Sequence, residues 1–86
     1  MKLNLVAKVP SEGARRIAQW VMTLEGGLAA ASRVLGTDGD RIQRMVEGEM
    51  VPGMEVGQRL HRAAGIRAHD FHAKPLGGWF ERPVAA

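Results

Sequence analysis

Hydrophobic positions along most of this chain recur at the three- and four-residue spacing of amphipathic helices. Apolar positions at this spacing predict a first helix over about residues 12–25, with Ser11 as its N-cap. Two more helices are predicted over about residues 28–35 and 38–47. Gly36 separates them and suits a left-handed C-cap, because glycine has no side chain to oppose a positive φ.

A fourth helix and a short fifth element follow. The fourth is predicted to have Pro52 in its first turn and to finish at Gly65. Its predicted inner face consists of Val56, Leu60, Ala63 and Ala64. A short helix or turn over residues 68–72 would then let Ile66 and Phe71 close the end of the core. The expected fold class is therefore mostly α, with four to five short helices.

The two ends of the chain lack the helical pattern. Apolar and polar residues alternate over residues 2–9, which predicts a short β-strand or an arm within an N-terminal segment 1–10. A single strand is not stable alone, so it could pair with a second subunit, pair with the C-terminal tail, or remain a flexible arm. The tail, residues 74–86, contains prolines and a Gly-Gly pair and is not expected to be helical. Its bulky Trp79 and Phe80 are expected either to fold back on the core or to form part of a subunit interface.

Composition narrows the class of protein. A chain of 86 residues supports one hydrophobic core, which places a single domain at residues 11–73 between arm and tail. With no cysteine, neither a disulfide framework nor a thiolate zinc site is expected. The net charge of +3 favours an anionic partner without requiring one. The apolar start of the chain is too short for a signal peptide or membrane span, so a cytoplasmic protein is expected.

Catalytic chemistry has little support. The sequence contains no phosphate-binding loop, no dinucleotide fingerprint and no interpretable nucleophile and base pair, so an enzyme is not expected. His69 and His72 form an H-x-x-H pattern, but no third ligand accompanies them. A surface or capping role is therefore favoured over a metal site, and no cofactor is expected.

The central region resembles a known family of DNA-binding domains. It is similar to the helix-turn-helix of the phage Cro and repressor-like families, and in particular to the YdaS-type Cro-like regulators of bacterial prophages. The positions that carry the resemblance are Gly26-Gly27, Ser32, Leu35-Gly36, Ile42, Gly48, Pro52 and Gly65, and HDFHAKP over residues 69–75. The resemblance implies a lambda repressor-like fold and a sequence-specific regulator of transcription that binds double-stranded DNA as a homodimer.

The same resemblance makes the helix at about residues 38–47 the recognition helix. The expected DNA-binding residues are Arg33, Thr37, Asp38, Asp40, Arg41, Gln43 and Arg44. The family pattern is altered at the start of this helix: Gly39 has no side chain, and Asp40 could accept a hydrogen bond from cytosine N4 or repel phosphate. Two alternatives remain open: a protein-interaction module that has kept the scaffold, and a DNA-packaging adaptor.

Overall fold

The computed structural model describes residues 3–80 and confirms the mostly α class. This part of the chain contains four α-helices and one short 3-10 helix, and no β-strand. The elements are α1 (Glu12–Thr23), α2 (Gly27–Leu35), α3 (Gly39–Val46), α4 (Met54–Ala64) and the 3-10 helix (Ala68–His72). None of these helices is long and apolar enough to cross a membrane.

Helix α1 begins where the sequence predicts and ends two residues early. The Ser11 side-chain oxygen accepts a hydrogen bond from the Ala14 backbone N–H at 3.0 Å, which confirms Ser11 as the N-cap. At the other end Leu24 leaves helical geometry, with φ −83° and ψ 134°, although its N–H still bonds to the Val21 carbonyl. The apolar spacing continues into this turn, so periodicity alone extended the predicted helix too far.

Helices α2 and α3 form a helix-turn-helix arrangement across residues 36–38. Gly36 ends α2 with φ +66°, and its N–H bonds to the Ser32 carbonyl at 2.9 Å. The guanidinium group of Arg59 lies over Gly36, so a side chain at this position would face backbone strain and would displace the end of the Arg59 side chain. Asp38 caps α3, because its carboxylate accepts the Arg41 backbone N–H at 2.8 Å.

The core lies where the inner faces of the four α-helices meet. Helix α2 is central, since it contacts α1, α3 and α4. The buried residues of this cluster are Ile17, Ala18, Val21, Leu28, Ala31, Leu35, Ile42, Met45, Val46, Leu60, Ile66 and Phe71. The last two lie in and just before the 3-10 helix, so the predicted closure of the core by Ile66 and Phe71 is confirmed.

The start of α4 differs from the prediction. Pro52 is buried but lies outside the helix, because Gly53 is the N-cap and Met54 the first helical residue. Ala63 was predicted on the inner face, but it is exposed. It lies beside Val34 of α2 at the surface and not against the core. The predicted end is confirmed: Gly65 follows the helix with φ +71°.

The described part of the N-terminal segment, residues 3–10, forms no strand within this chain. Residues 3–10 pair with no other backbone segment of the described chain, so they take the arm form of the prediction, and pairing with a second subunit stays a prediction. Leu3 and Leu5 instead pack against the core as partly buried side chains. The Trp79 indole Nε1–H donates to the Val6 carbonyl at 2.7 Å, so arm and tail meet through a side chain. A side-chain contact of this kind leaves no periodic signal in the sequence.

The C-terminal tail packs back on α1 as far as it is described. Gln19 donates to the Trp79 carbonyl at 2.7 Å, and the Leu76 N–H donates to a Glu12 carboxylate oxygen at 2.8 Å. Trp79 is partly buried against the core, whereas Phe80 is 68% exposed. Residues 74–80 are not helical, as predicted, and the remainder of the predicted tail, 81–86, lies outside the described residues.

Candidate nucleic-acid interface

Helix α3 divides cleanly into an inner and an outer face. Ile42, Met45 and Val46 are at most 2% exposed and fasten the helix to the core. Arg41 and Arg44 are exposed, and their spacing of three residues puts them on one side of the helix. The arrangement therefore presents two guanidinium groups from a rigidly packed helix, which suits bidentate contacts with phosphates or guanine edges.

The carboxylates at the start of α3 have separable roles. Asp38 is committed to capping, and its second oxygen lies 3.9 Å from Arg41 Nε in a solvent-exposed ion pair. Such an exposed pair contributes little to stability, so Arg41 can exchange it for another anion at small cost. Asp40 is exposed in the first turn, where the positive end of the helix dipole favours a negative charge. Asp40 is thus available for a donor such as cytosine N4.

Gln43 is already engaged by the N-terminal arm. Its side-chain oxygen accepts the Asn4 backbone N–H at 2.8 Å, and its side-chain nitrogen donates to the Asn4 carbonyl at 2.7 Å. The carboxamide therefore forms a two-point contact with a single backbone unit of the arm. Gln43 thus lies on the outer face of α3, and its carboxamide edge is occupied by the Asn4 backbone.

Two other predicted residues lie outside this exposed group. The Thr37 hydroxyl is buried and has no hydrogen-bond partner among residues 3–80, and its backbone N–H bonds to the Ser32 carbonyl. Thr37 thus forms part of the turn and does not present its hydroxyl to solvent. Arg33 is exposed in the last turn of α2, on the helix preceding the turn.

Helix α4 contributes cations that were not among the predicted site residues. Arg59 covers the turn at Gly36, where the negative end of the α2 dipole favours a positive charge. Arg59 and Arg62 also line a shallow pocket of about 290 Å³ together with Val34 and Ala63. Arginines three residues apart on a helix are visible in the sequence, but only the packing of α4 on α2 shows that they border the turn.

The outer face of α3 carries mixed charge. Asp38 and Asp40 balance Arg41 and Arg44, so the positive charge near the turn depends on arginines of the neighbouring helices, Arg33 and Arg59. A surface of this kind suits discrete, oriented hydrogen bonds better than attachment to any polyanion.

The histidine pair lies apart from this surface. His69 and His72 are both exposed on the 3-10 helix. Within residues 3–80, no cluster of three or more histidine, aspartate or glutamate side chains is arranged to hold a metal ion.

Fold and surface together define a small helical domain with an exposed, mixed-charge outer helix after a tight turn. Comparisons with protein-family models, curated proteins and solved structures find no match to this chain. A functional proposal therefore depends on the geometry of α2, α3 and the arm.

Proposed function

We propose that this protein is a sequence-specific, double-stranded DNA-binding regulator of transcription, with α3 as its recognition helix, acting in the cytoplasm. In this proposal Arg41 and Arg44 contact base edges and phosphates, and Asp40 accepts a hydrogen bond from a base. Arg33 and Arg59 contact the phosphate backbone at either side of the turn. Phosphate contacts fix the position of the domain, while base contacts supply sequence preference.

One observation carries the proposal. One side of α3 is completely buried in the core, where α1 and α2 pack on it, while its other side exposes two arginines at the spacing of one helical turn. An α-helix with a fixed inner face and a polar outer face has the dimensions that the major groove of DNA admits. The glycine at position 36 and the aspartate cap at position 38 keep the turn short, so α3 projects as a unit.

We further propose that the protein acts as a homodimer. One recognition helix covers too few base pairs for useful specificity, whereas two copies can contact half-sites one helical turn apart. Exposed Leu76 and Phe80 in the tail provide apolar surface that a second copy could cover.

The test is a selection from a random duplex library, followed by fluorescence anisotropy with the selected and a scrambled duplex at two salt concentrations. Arg41→Ala and Arg44→Ala are each expected to lower affinity for the selected duplex about tenfold or more, because each arginine supplies a base or phosphate contact. Affinity of the unchanged protein should fall steeply with salt, since phosphate contacts release counterions.

Lys74→Ala is the matched control, because it removes one exposed positive charge outside α2, α3 and α4. It is expected to leave the binding of the selected duplex nearly unchanged. Failure to enrich any duplex, or equal losses in all three variants, would contradict the proposed recognition helix.

A protein-interaction module is the second candidate, and one observation favours it. Asp38 and Asp40 cancel the charge of the two arginines on α3, which reduces attraction to a polyanion. In that case the same outer face would bind a protein surface, and binding would lack the steep salt dependence of phosphate contacts.

A further inference from the structure

The two hydrogen bonds between Gln43 and Asn4 have the geometry of base recognition. A glutamine carboxamide recognises adenine through one edge, on which the oxygen accepts from N6 and the nitrogen donates to N7. In this protein the same edge is filled by backbone: the oxygen accepts the Asn4 N–H at 2.8 Å and the nitrogen donates to the Asn4 carbonyl at 2.7 Å. A base cannot use this edge while the arm is bound.

The arm is held at further points, so the contact with Gln43 is part of a docked segment. Leu3 and Leu5, on either side of Asn4, are partly buried against the core. The Val6 carbonyl accepts the Trp79 indole N–H at 2.7 Å. Apolar, indole and carboxamide contacts within four residues therefore hold the arm in one place. Displacing the arm from Gln43 by a base would cost more than one hydrogen bond.

Docking of the arm also brings Asn4 next to Gln43 on α3. The contact uses only the backbone of Asn4, and Asn4 is itself exposed whereas Gln43 is half-buried. Asparagine carries the same donor and acceptor pair as glutamine and forms the same bidentate contact with adenine.

We infer that Gln43 is a positioning residue that holds the N-terminal arm on α3, and that Asn4, rather than Gln43, contacts the nucleic acid. The role of Asn4 rests on the proposed function. The docking of the arm by Gln43 does not, since it is a property of the free protein.

Hydrogen exchange of the Asn4 backbone amide, measured by NMR in the free protein, tests the docking. In the unchanged protein this amide is expected to exchange at least about tenfold more slowly than in an unfolded peptide, and Gln43→Ala should remove the protection. The substitution is safe for folding, because alanine is the better helix former at a position that faces away from the core. Arg44→Ala, one residue further along α3, is the matched control and should leave the protection unchanged.

Repeating the library selection with two variants tests which residue contacts DNA. Asn4→Ala keeps both backbone hydrogen bonds and is expected to lose the preference for one base of the selected sequence. Gln43→Ala is expected to weaken the same base preference, because it removes both hydrogen bonds that hold Asn4 on α3.

Each outcome decides a separate point. An unprotected Asn4 amide in the unchanged protein, or one equally protected in Gln43→Ala, overturns the docking. A changed base preference in Gln43→Ala together with an unchanged preference in Asn4→Ala makes Gln43 the contact residue and overturns the inference. Failure of the unchanged protein to bind DNA, with the Asn4 amide protected, removes the proposed function and the role of Asn4 while the docking stands.

Discussion

The most deeply buried charges lie at the start of α1, far from α3 in sequence. Arg15 is 1% exposed and donates to Glu12 through Nε at 2.8 Å. Burial by itself raises the pKa of Glu12, but the hydrogen bonds from Arg15 and from the Leu76 backbone, and the charges of Arg15 and Arg16, outweigh it. The pKa of this carboxyl is therefore lowered below its usual 4.5. Glu12 thus links α1 to the C-terminal tail, and folding favours its charged carboxylate form.

Because folding lowers this pKa, the stabilisation by Glu12 is present at neutral pH and is lost as pH falls through the lowered value. Glu12→Gln resembles the protonated form at every pH. It is expected to reduce the free energy of unfolding by about 3 kcal/mol at pH 7, since it breaks a buried ion pair. The difference from the unchanged protein should narrow below pH 4.5.

Urea unfolding at several pH values measures this difference. Glu55→Gln, a change of an exposed carboxylate on α4, serves as the control and should have little effect at any pH. Parallel pH profiles for the unchanged protein and Glu12→Gln would show that the carboxylate is not charged in the folded state as described.

Two helical glycines illustrate how packing decides the effect of one substitution. A Cβ at Gly13 in α1 would lie 2.6 Å from the Phe71 ring and 2.8 Å from the Phe71 backbone nitrogen. A Cβ at Gly57 in α4 would meet only the Ala68 Cβ, at 3.9 Å. The contact at Gly13 lets the 3-10 helix pack tightly on α1, while Gly57 has free space.

Alanine at these two positions is therefore expected to act in opposite directions. Gly13→Ala should destabilise the fold by about 1–3 kcal/mol through overpacking against Phe71. Gly57→Ala should stabilise it by about 0.5–1 kcal/mol, because alanine restricts the unfolded chain and favours the helix. Thermal unfolding followed by circular dichroism compares the two, and the same sign for both would contradict this account of their surroundings.

At the level of the elements, the sequence was most informative where periodicity and capping residues coincide. Ser11, Gly36, Asp38 and Gly65 have the predicted cap roles, because short-range hydrogen bonds and positive φ depend on local residue types. The predicted start of α4 was wrong, because a proline such as Pro52 suits both a first helical turn and the segment before an N-cap. Local chemistry allows both positions, and tertiary packing selects one.

The candidate site was only partly predictable. The exposure of Arg41 and Arg44 followed from the inward pattern of their helix. The hydrogen bonds of Gln43 could not be predicted in this way. Its partner Asn4 is 39 residues away and contributes only backbone atoms, which do not depend on the type of side chain. The alternation over residues 2–9 could not distinguish a strand from an arm, because both place alternate side chains on one side.

At the level of the whole molecule, the tail leaves apolar surface uncovered in the single chain. Trp79 is tied to Val6 and Gln19 by hydrogen bonds, whereas Leu76 and Phe80 are 58% and 68% exposed. If the proposed homodimer uses this surface, Phe80→Ser should weaken self-association about tenfold or more, because burial of a phenylalanine ring is lost. Sedimentation equilibrium of the full chain measures the effect.

Met54→Ser is the control, since Met54 is the more exposed residue at 84% and lies on α4. A monomeric unchanged protein, or equal weakening by both substitutions, would contradict a dimer contact at the tail.

The division of labour along α3 has a consequence for how such a protein can change over generations. Ile42, Met45 and Val46 are fixed by the core, Asp38 by the cap, and Gln43 by the arm. Positions 40, 41 and 44 bear none of these demands. On the proposed function, mutational drift at these three sites would change which partner the helix binds while the scaffold persists, so specificity would diverge faster than architecture.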